Sequence, residues 1–124
     1  MKIYIAHSRG FDFKKELYRP IRADDELEQE NIILPHEEVD ASKNTREFYK
    51  RLDLVIAEAS YPATGLGIEL GWAYDDGVPI AVLHRSNAKV SHSLYAVTQE
   101  FYEYHDCNEI PAIIKDIINA HQHN

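Results

Sequence analysis

Residues 53–71, DLVIAEASYPATGLGIELG, decide how this chain folds. Leu54–Ala57 is a short apolar run, which reads as a strand buried on both faces. Ser60–Gly67 is a turn of mostly small residues. Leu66–Asp76 then carries helical spacing, closed by Gly77, the residue type that best ends a helix. A carboxylate, Glu69, is expected in the first turn of that helix. A strand, a glycine-containing turn and a helix together place bare backbone N–H groups at a sheet edge, where small ligands bind.

The same alternation extends outward in both directions. Lys2–Ala6, Asn31–Leu34, Val78–Leu83 and Phe101–Tyr104 read as four more strands. Phe11–Gln29 reads as helical, broken or kinked at Pro20. Residues 36–43 are a polar loop, and Ser42 or Asn44 caps a short helix through Arg51. Ser91–Thr98 fits a short helix. Glu109–His121 fits an amphipathic one, with Ile110, Ile113, Ile114, Ile117 and Ile118 on one face. Apolar strands alternating with helices predict an α/β fold, a doubly wound parallel sheet with helices on both faces. Five strands in one domain spanning residues 1–124 favour the order 2-1-3-4-5.

In that order the winding reverses between the first and third strands, and ligands bind beyond their carboxyl ends. Two segments therefore meet: His7-Ser8-Arg9-Gly10 after the first strand and Ser60–Glu69 after the third. Gly65 and Gly67 would allow a tight turn and close approach to a ligand, or simply a compact helix entry. Glu69 near a helix start would gain about 0.3–1 kcal/mol from the macrodipole. It is either good helix chemistry or a carboxylate poised at a carbon where positive charge develops. Ser8 and Arg9 are suited to a phosphate or carboxylate, Arg9 through its planar fork of donors, or they are ordinary loop residues. Tyr4, inside the first strand, either packs in the core or bonds to the carboxylate.

Composition narrows the function classes. At 124 residues and 44% hydrophobic, the chain suits one globular core, and no apolar run approaches a membrane span. The N-terminal apolar run is too short for a secretory signal and reads as strand. A lone cysteine, Cys107, forms no internal disulfide and fits a cytoplasmic setting. A net charge of −8 makes a nucleic-acid polymer an unsuitable partner. Eight acids and no Lys or Arg lie between Ala23 and Ser42, among them Asp24, Glu37, Glu38 and Asp40. No acid lies between Gly77 and Gln99, where His84, Arg85, Lys89 and His92 form a basic loop that is either plain surface or faces a small anion. No metal-ligand spacing stands out. His121-Gln122-His123 reads as a frayed tail, and neither metal nor cofactor is expected.

The string DLVIAEASYPATGLGIELGWA resembles the nucleoside 2-deoxyribosyltransferase family, including its branch of 2′-deoxynucleoside 5′-phosphate N-hydrolases. The likeness extends to the Tyr-containing first strand, the Ser8-Arg9-Gly10 loop and the strand at Val78–Leu83. It implies a flavodoxin-like sheet and cleavage or exchange of an N-glycosidic bond in a nucleoside or nucleotide. It further implies that Glu69 is the nucleophile and forms a glycosyl-enzyme intermediate, with Tyr4 orienting it. Ser8, Arg9 and Gly10 would line the sugar or 5′-phosphate pocket. Members are commonly dimers or larger, the loop before the last strand, here Ser91, His92 and Ser93, completing a neighbour's pocket. Two positions depart from the pattern. The family acid that acts on the leaving base, eight residues before Asp53, falls on Thr45. The phosphate-binding Ser of the hydrolase branch falls on Ala63, with Thr64 next to it. Losing a positioned general acid typically costs about 10²–10⁴-fold. The expectation is therefore an enzyme acting on a small nucleoside or nucleotide, set against a non-catalytic module with the same pocket.

Overall fold

The computed structural model describes residues 1–37 and 46–122. Strands β1 (Lys2–His7), β2 (Asn31–Ile33), β3 (Leu54–Glu58), β4 (Ile80–Arg85) and β5 (Phe101–Tyr104) form one sheet in the order β2-β1-β3-β4-β5. All neighbouring pairs are parallel. The helices are α1 (Arg19–Arg22), α2 (Arg46–Lys50), α3 (Thr64–Asp75) and α4 (Ile110–Gln122). This is the doubly wound α/β sheet expected from the strand–helix alternation. The register sets His7 beside Glu58, so β1 and β3 end level and their exit loops leave side by side.

Period-two alternation divides the core into two layers. Ile3, Ile5, Leu54, Ile56, Ala81 and Leu83 pack with α1 and α4, including Ile110, Ile114, Ile117 and Ile118. Tyr4, Ala6, Val55, Ala57, Ile80 and Val82 face the other way, toward Tyr49 of α2 and Leu66, Leu70 and Ala73 of α3. Both sheet faces are covered, which is why the central strands read as unbroken apolar runs. Ile113, expected on the buried face of α4, is only partly buried at its margin.

The first helical segment is broken near Pro20, as expected, and its α-helical part stops at Arg22, short of Gln29. A single π-type turn, Lys14–Tyr18, runs straight into the one-turn helix α1, and a 3-10 turn follows at Leu27–Gln29. Pro20 has no N–H to give and its ring excludes the carbonyl four residues back. The Arg19 N–H instead reaches Lys14 O. Beyond α1, Asp24 Oδ1 accepts the N–H groups of Glu26 and Leu27 at 3.1 and 3.0 Å, capping a turn in competition with helix continuation.

α3 begins at Thr64, two residues before the expected start, after an extended Ala63 (φ −153°, ψ 145°). Gly65 and Gly67 therefore lie inside the helix and not in a tight turn. Only Gly77 has a positive φ among the described residues, at 72°, where it ends α3. The early start also moves Glu69 out of the first turn, which holds no acid. The segment after β4 forms a 3-10 turn, His92–Ala96, in place of a helix, with Ser91 as its cap. His121 is not frayed, because its Nε2 sits 2.8 Å from Glu100 Oε2 and fastens the end of α4. Ser42, Asn44, Glu38, Asp40, Thr45 and His123 lie outside the described residues.

Candidate active site

Alternation along β1 turns Tyr4 toward α2 and α3, where it is 2% exposed. Its ring meets Tyr49 of α2 edge-on at 5.3 Å between centroids. The two phenol oxygens lie 3.2 Å apart, and Tyr49 donates to Glu69 Oε2 at 3.1 Å. A β1 phenol, an α2 phenol and an α3 carboxylate thus converge beneath the carboxyl edge of the sheet. Tyr4 and Glu69 are brought together as expected. The α2 residue was not anticipated.

Docking of α2 on α3 is what puts Tyr49 there. Arg46 binds Asp76 through two hydrogen bonds, at 2.6 and 2.8 Å, and lies over the Trp72 ring at 5.4 Å. Tyr49 itself packs against Trp72, 5.2 Å between ring centroids. Bidentate guanidinium–carboxylate pairing is directional, so it fixes the azimuth of a short helix that has little intrinsic stability.

Burial raises the Glu69 pKa above the usual carboxylate range, and hydrogen bonds from Tyr4 and Tyr49 pull it partly back. The expected macrodipole contribution does not apply, since Glu69 stands in the second turn. Burial, then the Glu69 charge, pushes the Tyr4 phenol far up. Tyr49 is pushed up to about 12, mainly by burial. Both phenols therefore keep their protons at neutral pH and serve as donors. A partly desolvated carboxylate held by phenols is a stronger nucleophile than a hydrated one.

The β1 exit loop and the β3 exit loop meet through Phe11 and Tyr61, whose rings stack at 4.9 Å and 21°. Within the first loop Ser8 is buried and its Oγ accepts the Gly10 N–H at 2.9 Å. A Cβ at Gly10 would stand 3.2 Å from that oxygen, a tight contact that a larger residue would relieve only by shifting the Ser8 side chain. Arg9 is exposed. Across from it, Thr64, Gly65 and Gly67 are exposed on the first turn of α3, and a Cβ at Gly65 or Gly67 would meet nothing within 4 Å. Ala63 occupies the N-cap position with no side-chain oxygen to offer. A cavity of about 110 Å³ opens here, lined by Ala59, Ala63, Leu66, Gly67, Ser91 and Ser93 among others. Ser93 thus sits beside this chain's own α3 start. The basic loop is less available than its composition suggested, because Arg85 turns back to Glu16 at 2.9 Å and lies over the Tyr104 ring.

Two further polar clusters brace these loops. Glu58, at the end of β3, has no exposed surface. It accepts the Ser60 N–H at 2.7 Å, the Ser60 hydroxyl at 2.8 Å, and the Tyr104 hydroxyl. Ser60 Oγ in turn accepts the Arg85 N–H at 2.8 Å. The β3 exit is thereby tied to β4 and β5. At the end of β1, the His7 ring N–H at Nδ1 donates to Ser8 O at 2.7 Å, which leaves Nε2 to accept from Tyr18 at 2.6 Å. Tyr18 OH accepts the His36 N–H at 3.0 Å.

This arrangement holds His7 neutral. Its pKa is lowered to about 4, first by burial and then by the charges of His36 and Arg9. Above pH 6.5 the ring is neutral in both folded and unfolded chains. As pH falls from 6.5 toward 4 only the unfolded chain takes up the proton, so stability drops by up to about 1.4 kcal/mol per pH unit. Denaturant melts at pH 7.5 and pH 5 should show a smaller loss in His7→Gln than in the parent. Equal losses would contradict the assignment.

No family model matches the chain, and no curated protein matches it. Solved structures do match in fold. One is the CMP N-glycosidase BcmB of Clostridium botulinum, with a TM-score of 0.68 and 21% identity, covering 94% of this chain and 99% of that one. At that identity the likeness shows the five-stranded parallel fold. Among the described residues no helix is long and apolar enough to cross a membrane, and no group of three or more His, Cys, Asp or Glu side chains could hold a metal ion.

Proposed function

We propose that this chain cleaves or transfers the N-glycosidic bond of a nucleoside or nucleotide, with Glu69 as the nucleophile. The observation that carries the reading is the partly desolvated Glu69 carboxylate held by Tyr49 at 3.1 Å, whose hydroxyl in turn lies 3.2 Å from that of Tyr4. In the reaction Glu69 forms a bond to the anomeric carbon as the carbon–nitrogen bond breaks, and the base leaves with the electron pair. Water then releases the sugar from Glu69, or a second base takes it. Such a carboxylate suits the cationic character of the anomeric carbon better than it suits a carbonyl or phosphoryl centre.

The site favours a 5′-phosphate on the substrate. The uncapped start of α3, the exposed Arg9, and Ser93 across the cavity offer N–H, guanidinium and hydroxyl donors. The fold likeness to a CMP N-glycosidase supports the same class. One observation favours a second reading, a module that binds a nucleotide without cleaving it: Thr45 stands where the resembled family has its acid. Incubating the protein with nucleosides and their 5′-monophosphates and separating free base by chromatography tests the proposal. Base release, faster from monophosphates, is the expected result. Tight calorimetric binding with the nucleotide recovered intact would favour the module.

A further inference from the structure

We infer that Tyr49 is a positioning residue for the Glu69 nucleophile, a second phenol that fixes the carboxylate from the α2 side. The inference rests on the glycosidic reading above for its kinetic consequences, and on geometry alone for its physical ones. Tyr49 is 6% exposed and donates to Glu69 Oε2 at 3.1 Å. Its ring is wedged between Tyr4, at 5.3 Å, and Trp72, at 5.2 Å, so the hydroxyl has little freedom to leave the carboxylate. Among the described residues the titratable groups that act on Glu69 are Tyr4 from β1 and Tyr49 from α2. Tyr18 also feels the Glu69 charge, though weakly.

The position of Tyr49 is informative in its own right. It stands four residues beyond Thr45 in the sequence, close to where the resembled family carries its acid. A phenol that bonds to the nucleophile is not placed to reach a leaving base, which departs from the opposite face of the anomeric carbon. Tyr49 therefore does not replace the missing acid. It acts on the attacking group, limiting the rotation of the carboxylate and stabilising its ionised form through a charge-assisted bond. The Arg46–Asp76 pair makes this arrangement rigid by clamping α2 to α3.

Tyr49→Phe keeps the ring and removes the bond. In that variant kcat for base release should fall about 5- to 100-fold, with KM within about twofold. The acid limb of the pH–rate profile should move up by about one pH unit, because an unassisted carboxylate holds its proton more tightly. A thermal melt within a few degrees of the parent confirms that the fold is kept. The carboxyl carbon of Glu69, followed by carbon-13 NMR across pH, gives a reading that needs no turnover, and the same upward movement is expected there. Unchanged kcat and unchanged titration in Tyr49→Phe would overturn the inference, as would a loss confined to KM. If the parent releases no base, the glycosidic reading falls and the NMR titration alone decides the role of Tyr49.

Discussion

Glu69→Gln is expected to abolish base release, by at least about 10³-fold, while making the protein more stable at neutral pH. The substitution keeps the shape and an oxygen that can accept from Tyr49, but removes the charge and the proposed nucleophile. Stability rises because the ionised side chain is poorly solvated. Burial raises the Glu69 pKa in the folded chain above its unfolded value. Below the unfolded value both forms are protonated and the parent bears no penalty. As pH rises through the folded value the parent buries a charge that Gln does not carry. The gain should therefore be present at pH 7–8 and fade toward pH 4. Paired denaturant melts of parent and variant at those two pH values check it. A destabilised Glu69→Gln at pH 8 would mean that the ionised carboxylate is held mainly for the sake of the fold.

The second large effect concerns Glu58, on the opposite face of the sheet from Tyr4 and Glu69. Its carboxylate accepts the Ser60 N–H, the Ser60 hydroxyl and the Tyr104 hydroxyl, with none of its surface exposed. Glu58→Ala removes three acceptor contacts and leaves a buried backbone donor and a buried phenol without partners. Each unpaired buried donor costs about 1–3 kcal/mol, together a large share of a small domain's total stability. Tyr104→Phe, which removes one donor and leaves no acceptor empty of partners, should cost about 0.5–1.5 kcal/mol. Urea denaturation of the two variants checks both values. A Glu58→Ala loss below about 1 kcal/mol would show that the cluster does not hold the β3 exit. Ser60 also accepts the Arg85 N–H at 2.8 Å, so the same substitution loosens the loop that leads into α3.

The apolar runs of β1, β3 and β4 and the isoleucine stripe of α4 made the sheet order readable, because strands buried on both faces admit few other arrangements. The meeting of the first-strand exit with Ser60–Glu69 was legible for the same reason, while a bond from Tyr4 to the carboxylate stood beside core packing as one of two readings and came forward only through the family resemblance. Tyr49 was not legible, since its role comes from how α2 docks, and that docking depends on an Arg46–Asp76 pair thirty residues apart. His7 reads from the sequence only as the start of the loop after the first strand, and Glu58 lies just past the apolar run of the third. A Glu closing an apolar run, with Ser two residues on, was the available signal. The break near Pro20 was legible, and the end of that helical segment at Arg22 and the early start of α3 have local causes. Pro20 withholds an N–H, Asp24 captures two, and Ala63, extended and without a capping oxygen, precedes a helix that begins at Thr64.

Intact-mass and peptide mass spectrometry of the protein with a slowly turned-over 2′-fluoro nucleoside 5′-monophosphate tests the central claim most directly. Fluorine at that position slows release of the sugar from a carboxylate, so an intermediate should accumulate. The account predicts one added sugar phosphate per chain, on the peptide containing Glu69, with free base in equal amount and no adduct in Glu69→Gln. Free base without any adduct, or an adduct on a peptide that lacks Glu69, would contradict it.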